Sequence, residues 1–261
     1  MVLIEFSLKL NRIIFLIFFA LSFCSCAEGK VKNYTVKVVK EYAHDPKAYT
    51  QGLFFHEGDF YETTGQYGKS SIRKVNLETG VPTTNIKINK KYFIEGSVIL
   101  NDQLYVLTWT SKVAFIYDAK TMAYKKTMSY PREGWGLTTD GKQLIASDGS
   151  SSLYFLDEHM ALKKRMTVKL NGRPIRLLNE LEYIDGKIWA NVYMTDLILI
   201  IDPMDCNVEG VIDCTGLLDR KLYTPDTDVL NGIAYNPDTK KIYLTGKNWP
   251  KLFEIKLISE K

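Results

Sequence analysis

Histidine and cysteine are both scarce in this chain, with 3 His and 4 Cys among 261 residues. His44, His56 and His159 stand far apart, and no Cys or His falls at metal-ligand spacing, so no zinc site built on closely spaced ligands is expected. Proline and serine never gather into a linker between residues 31 and 261, and nothing there divides the chain into domains. Helical apolar periodicity is nearly missing, which speaks against an α-helical fold. Basic residues form no cluster; 34 Lys and Arg against 30 Asp and Glu leave a net charge of only +4, and a nucleic-acid face is set aside.

What is present divides into a short leader and a long repetitive stretch. Lys9 and Arg12 precede an apolar run, Ile13 to Phe23, followed by the small residues Ser25, Cys26 and Ala27. That order is the layout of an export signal; the run is short for a membrane-spanning helix, the other reading of it. Phe23-Cys24-Ser25-Cys26 also resembles a bacterial lipobox, although Leu is usual three positions before the Cys. The expectation is a signal peptide over 1–25, a lipidated Cys26, a short tether over 26–33 and a folded domain over 34–261. The protein is then exported, as a periplasmic or cell-surface lipoprotein held by its lipid, or otherwise secreted. In an oxidising compartment Cys206 and Cys214 either pair or act as two small apolar residues; sequence leaves both open.

Aromatic residues are plentiful, with 16 Tyr and 12 Phe, which favours strands. Short strand signals recur at 59–63, 103–107, 143–147, 187–191 and 241–245. Each follows a turn such as Asn101-Asp102, Asp140-Gly141 or Asp185-Gly186, whose residues tolerate the positive φ of tight hairpins. A further strand follows each, at 72–75, 113–117, 153–156, 198–201 and 252–255. The unit returns about every 40 to 50 residues with about four strands, the period of a propeller blade. The last unit stops near Leu257 after its third strand, and Tyr34–Val39 precedes the first. The expectation is an all-β, five-bladed β-propeller closed by this N-terminal strand; a β-sandwich or open solenoid is the alternative.

In a propeller the inner strands end at a central channel, so equivalent positions of the repeats can be compared. They carry Gln51, Glu95, Trp135, Asn179 and Lys247, a different chemistry from each unit. Such asymmetry on a symmetric scaffold points to a site, and aromatic walls with a few polar groups suit a small-ligand pocket. Tyr-Thr-Gln-Gly-Leu at 49–53, Phe-Ile-Glu-Gly at 93–96, Leu-Thr-Trp at 107–109, Gly-Trp-Gly-Leu at 134–137, Gly-Arg-Pro at 172–174, Leu-Asn-Glu-Leu-Glu at 178–182, Ala-Asn-Val-Tyr at 190–193, Leu-Asn-Gly-Ile-Ala at 230–234 and Leu-Thr-Gly-Lys at 244–247 together resemble the glutaminyl-peptide cyclotransferases of plant and bacterial type. The resemblance spans about residues 40–257, in order and in every repeat.

The resemblance implies a five-bladed propeller that turns N-terminal glutamine of peptides and proteins into pyroglutamate and releases ammonia. It places the general acid/base on Glu95, polar substrate-positioning groups on Gln51, Asn179 and Lys247, and an aromatic pocket on Phe93, Trp109 and Trp135. Tyr49 and Tyr193 depart from it, where Phe and Trp are usual; Tyr193 bears on pocket size and substrate preference. The chemistry suits these groups. One carboxylate within reach of the attacking amine and the departing nitrogen can shuttle the proton, and Lys247 or the Asn179 amide can donate to the oxyanion. Taken singly, Glu95 could be a structural ion-pair member, Lys247 a surface lysine, and the tryptophans blade packing. No cofactor or catalytic metal is expected, while a structural cation held by loop carboxylates is left open. The chain is expected to be a monomer. A non-catalytic binding platform and a lactonase-like hydrolase are the competing functions; the latter needs several inward carboxylates, for which only Glu180 and Glu182 stand beside Glu95.

Overall fold

The computed structural model describes residues 31–260. It is all-β, with a single one-turn 3-10 helix, Arg220–Leu222, among the described residues. After β1 (Lys32–Ala43), the first four-stranded antiparallel sheet is β2 (Thr50–His56), β3 (Asp59–Thr64), β4 (Ser71–Val75) and β5 (Pro82–Lys87). The second is β6 (Ile94–Leu100), β7 (Gln103–Thr108), β8 (Val113–Asp118) and β9 (Tyr124–Ser129). The third is β10 (Leu137–Thr139), β11 (Leu144–Ser147), β12 (Ser152–Leu156) and β13 (Leu162–Thr167). A small hairpin, β14 (Lys169–Leu170) and β15 (Arg173–Pro174), precedes β16 (Leu178–Ile184), β17 (Lys187–Val192), β18 (Leu197–Ile201) and β19 (Val208–Asp213). The chain ends with β20 (Leu230–Asn236), β21 (Lys241–Gly246) and β22 (Lys251–Ser259).

Hairpin chemistry accounts for the strand joints. Glu57-Gly58, Asn101-Asp102 and Asp185-Gly186 all have positive φ at both turn residues, the backbone a two-residue hairpin needs to follow the strand twist. Period-two alternation then sends successive side chains to opposite faces. On β2, Leu53 packs with Tyr243 and Leu252, whereas Phe54 packs with Leu104 and Phe115 of the second sheet. The same division recurs: Leu144 faces Tyr105, and Ile145 faces Leu181 and Leu199. Each fully buried side chain of this size is worth about 1.5–3 kcal/mol, so the sheet faces, packed one on the next, hold the molecule together. The outer strands β9 and β13 are largely exposed and carry Lys125, Lys126, Lys163, Lys164 and Arg165, charges that discourage edge pairing with other chains.

The inner strands pack on one another in sequence: β2 touches β6, β6 touches β10, β10 touches β16, β16 touches β20, and β20 returns to β2. The architecture is propeller-like. The N-terminal strand pairs antiparallel with β22, from Tyr34 opposite Ser259 to Ala43 opposite Lys251. It also runs parallel to β19, from Lys32 opposite Gly210 to Thr35 opposite Asp213, which joins the last two sheets into one of eight strands. It is longer than the strand expected at 34–39, because pairing continues through the polar stretch Lys40–Tyr42, where no apolar alternation signals it. Lys32 and Asn33 thus belong to the domain rather than to a tether. The signal peptide and the lipidated Cys26 expected from sequence lie outside the described residues. No helix among the described residues is long and apolar enough to cross a membrane. Cys206 and Cys214 are both free and buried, in two different apolar clusters, so packing, not pairing, is their role.

Candidate active site

Four inner strands break register at the same level. The shifts fall between Thr50 and Gly52, Ile94 and Ser97, Leu178 and Leu181, and Leu230 and Ile233. A bulge leaves a residue out of the ladder and re-aims its side chain; the residues so released include Gln51, Glu95, Asn179 and Asn231. In the third sheet β10 starts only at Leu137, and Gly134–Gly136 runs ahead of it. There the Trp135 carbonyl accepts from Gly96 N at 2.7 Å, Gly136 N donates to Ser147 Oγ at 2.7 Å, and that hydroxyl donates to the Asn179 carbonyl at 2.7 Å. A Cβ on Gly136 would run into that same carbonyl oxygen, so glycine is what lets the two inner segments approach.

The structure brings Tyr49, Gln51, Phe93, Glu95, Trp109, Trp135, Asn179, Tyr193 and Lys247 together around one cavity of about 190 Å³. Every residue singled out by sequence lines it. Phe93 stands edge-on to Tyr49 at 6.2 Å and to Trp109 at 5.5 Å, and Trp135 packs edge-on to Tyr193 at 5.5 Å. The Trp135 indole lies against Gly149, whose φ of 74° and missing side chain make room for it. Gln51 is anchored by Asn231, whose Nδ2 donates to the Thr50 carbonyl at 2.9 Å and to Gln51 Oε1 at 3.3 Å. Asn179 Oδ1 is buried and has no hydrogen-bond partner among the described residues. An orphaned buried acceptor is unfavourable by about 1–3 kcal/mol, which a donor on a bound ligand can relieve.

Two buried opposite charges share the cavity without an ion pair between them. Burial pushes the Glu95 carboxyl well above the usual carboxylate range; Lys247 pulls it down, and Glu133 pushes it further up. Burial also lowers the Lys247 ammonium, against the upward pull of Glu95 and Asp228. Its Nζ sits 5.0 Å from the Tyr49 ring centre and 4.8 Å from that of Tyr193. Two aromatic faces stabilise the cation while leaving its hydrogens without a carboxylate partner. The arrangement therefore offers a carboxyl of raised proton affinity, a desolvated cation, two amides and an aromatic wall.

Three supporting residues carry no sequence signal of their role. Glu133 Oε2 accepts from Trp109 Nε1 at 3.0 Å and Trp135 Nε1 at 3.3 Å. Asp228 accepts from the Tyr49 hydroxyl at 2.7 Å, while its carbonyl accepts from Trp249 Nε1 at 2.8 Å. Asn231 holds Gln51. All three stand in or beside quoted motifs, but each has a partner from another sheet, up to 181 residues away.

Glu180 and Glu182 are buried but serve the scaffold. Glu180 accepts from Leu53 N at 3.3 Å and Ile233 N at 2.9 Å, and Glu182 from Tyr235 N at 2.9 Å, tying inner strands across the centre. No group of three His, Cys, Asp or Glu able to hold a metal occurs among the described residues. Burial raises the Glu182 carboxyl to about 8 from 4.5. The folded protein therefore binds a proton there that the unfolded chain has lost, and stability falls as pH rises from about 4.5 towards 8, by up to about 1.4 kcal/mol per pH unit. Glu182→Gln, which keeps an acceptor without the charge, is expected to flatten this slope. Melting temperatures at pH 5 and pH 8 check it; equal losses in wild type and variant would refute the assignment.

A family model described as glutamine cyclotransferase matches residues 14–257. The glutaminyl-peptide cyclotransferase of Arabidopsis thaliana is 43% identical over 227 residues, covering 85% of this chain and 71% of that protein. The crystal structure of Myxococcus xanthus glutaminyl cyclase superposes with a TM-score of 0.81 at 37% identity, covering 89% of this chain and 100% of the other. Sequence, fold and a cavity assembled from the motif positions of every repeat agree: the chain belongs to the glutamine cyclotransferase family.

Proposed function

We propose that the cavity is where an N-terminal glutamine is folded on itself and cyclised, with Glu95 as proton shuttle, in a five-bladed propeller closed by β1. The chain converts N-terminal glutamine of peptides into pyroglutamate with release of ammonia, the family's reaction. The observation that carries the site is the meeting of Glu95 and Lys247, both buried and in no ion pair among the described residues, within one small aromatic cavity. Its volume is below the roughly 300–1,000 Å³ of drug-sized pockets, in keeping with a single residue. The α-amine attacks the side-chain carboxamide carbon; a C–N bond forms and closes the five-membered ring. Glu95 takes the amine proton and returns it to the departing nitrogen, which leaves as ammonia when the old C–N bond breaks. Raised proton affinity suits both halves of that transfer. Gln51 and Asn179 orient the glutamine, and the intramolecular attack removes much of the entropic barrier. Lys247, with the Asn179 amide, stabilises the oxyanion. Phe93, Trp109, Trp135, Tyr49 and Tyr193 exclude water.

The blade count is supported by the cyclic packing of the inner strands and by apolar clusters at successive sheet junctions. The donor set of the cavity, one carboxylate with no His or Cys, supports a reaction that needs no metal or cofactor. The order of basic, apolar and small residues before Ala27 supports an exported protein with lipid on Cys26. The binding-platform reading is not favoured because the chain belongs to an enzyme family with its polar site groups in place, and the lactonase-like reading because Glu180 and Glu182 are taken up by backbone donors. Incubation of purified protein with a Gln-initiated dipeptide is expected to yield ammonia and the pyroglutamyl product in equal amounts, at a rate unchanged by chelator. No ammonia overturns the reading of the site, and a chelator-sensitive rate restored by a divalent ion overturns metal independence.

A further inference from the structure

We propose that Glu133 is a positioning residue of this site, closing its aromatic wall into a ring and setting a negative charge beside Glu95. The wall can be followed around the cavity. Phe93 touches Tyr49 and Trp109, Trp135 touches Tyr193, and the Lys247 ammonium joins Tyr193 back to Tyr49. The gap in this circuit lies between Trp109 and Trp135, which come from different sheets. One oxygen of Glu133 fills it, accepting both indole N–H groups at 3.0 and 3.3 Å. Trp109 is 37% exposed, so packing alone does not hold its ring; the shared carboxylate does. Glu133 is solvent-exposed, so water weakens each of these charge-assisted bonds, and the clamp works by one oxygen holding two rings at once.

The same carboxylate acts at a distance on the shuttle. Glu95 shares the cavity with Lys247, Tyr49, Tyr193 and the neutral amides of Gln51 and Asn179, and the charges that act on it are those of Lys247 and Glu133. Of these, Lys247 draws the Glu95 proton off and Glu133 holds it on. Arg132, beside Glu133 in sequence, does not neutralise it: its guanidinium stacks on Tyr130 at 5.1 Å and Tyr154 at 4.4 Å. Glu133 therefore ties the shape of the pocket wall to the charge state of the shuttle.

The proposal rests on the cavity being the reaction site, and two variants separate its parts. Glu133→Gln keeps a carbonyl oxygen for the indoles and removes the charge. Its KM is expected to stay within about twofold of wild type, while the acid limb of kcat/KM moves to lower pH, because losing a negative neighbour eases ionisation of Glu95. Glu133→Leu removes acceptor and charge, and its KM is expected to rise about fivefold at an unchanged melting temperature. If the Leu variant does not fold, a Glu133→Gln acid limb at its wild-type position still overturns the proposal. A wild-type KM in a folded Leu variant overturns the clamp. Failure of the site reading itself looks different: Glu95→Gln would then turn over like wild type.

Discussion

Glu95→Gln is expected to lower kcat by at least ~10²-fold while melting at or above the wild-type temperature. The amide matches the carboxyl in size and hydrogen bonding but cannot exchange a proton, so the variant isolates proton transfer from packing. Its stability is predictable from the surroundings: Glu95 makes no ion pair among the described residues, and burial works against its charged form. Removing a desolvated ionisable group that has no partner does not orphan another charge, unlike breaking a buried pair. The wild-type acid limb of kcat/KM should lie above the usual carboxylate range, in the direction burial moves Glu95. Measurement of kcat, of the pH profile and of the melting curve on one preparation decides the point. A variant that melts like wild type and cyclises Gln-peptides at near wild-type rate sinks the placement of the shuttle.

Lys247→Ala should lower kcat by about 10²–10³-fold, the scale for loss of one oxyanion donor, with a smaller change in KM. The asymmetry follows from where the cation is needed. In the ground state its charge is held by the faces of Tyr49 and Tyr193, and only when the tetrahedral oxyanion forms does the substrate itself carry a full negative charge. An interaction realised only in the transition state appears in kcat. A second signature is electrostatic. Loss of the neighbouring positive charge makes Glu95 harder to ionise, so the acid limb should move to higher pH, opposite in sign to the shift for Glu133→Gln. Lys247→Met, which keeps a long stem between the two rings, controls for lost packing. If either variant raises KM with kcat unchanged, Lys247 binds substrate uniformly and does not stabilise the oxyanion.

Much of the fold was legible because its signals are local. The second and third strands of each repeat announce themselves through β-branched and aromatic runs bounded by residues such as Asn101-Asp102 and Asp185-Gly186, whose positive φ the structure displays. The hairpin β14–β15 has the turn, Asn171-Gly172 with positive φ at both residues, but no apolar runs to frame it, because its strands are two residues long. The outer strands were also faint, since exposed polar sequences such as Tyr124–Ser129 have no alternation to betray them.

For the site, Gln51, Glu95, Trp135, Asn179 and Lys247 could be named in advance because they sit at equivalent points of their repeats, whereas Tyr49, Phe93, Trp109 and Tyr193 followed from the resemblance of the motifs that hold them to the cyclotransferases. The bulges that free Gln51, Glu95 and Asn179 from their ladders could not be read in one dimension. A bulge is a relation between two strands, and its sequence trace here is at most a neighbouring glycine.

The local chemistry of the chain settled strand identity, hairpin turns, period and the set of polar groups delivered to one end of the units. Those properties depend on residues within a few positions of each other. The three-dimensional packing settled which groups meet and what their protons do. Trp109 and Trp135 share the Glu133 carboxylate, and Asp228 reaches across 179 residues to Tyr49. Glu95 and Lys247 are buried together without touching, so that desolvation governs both. Proton affinity is set by the dielectric and by charges a few ångströms away in space, and neither exists until the sheets have come together around the cavity.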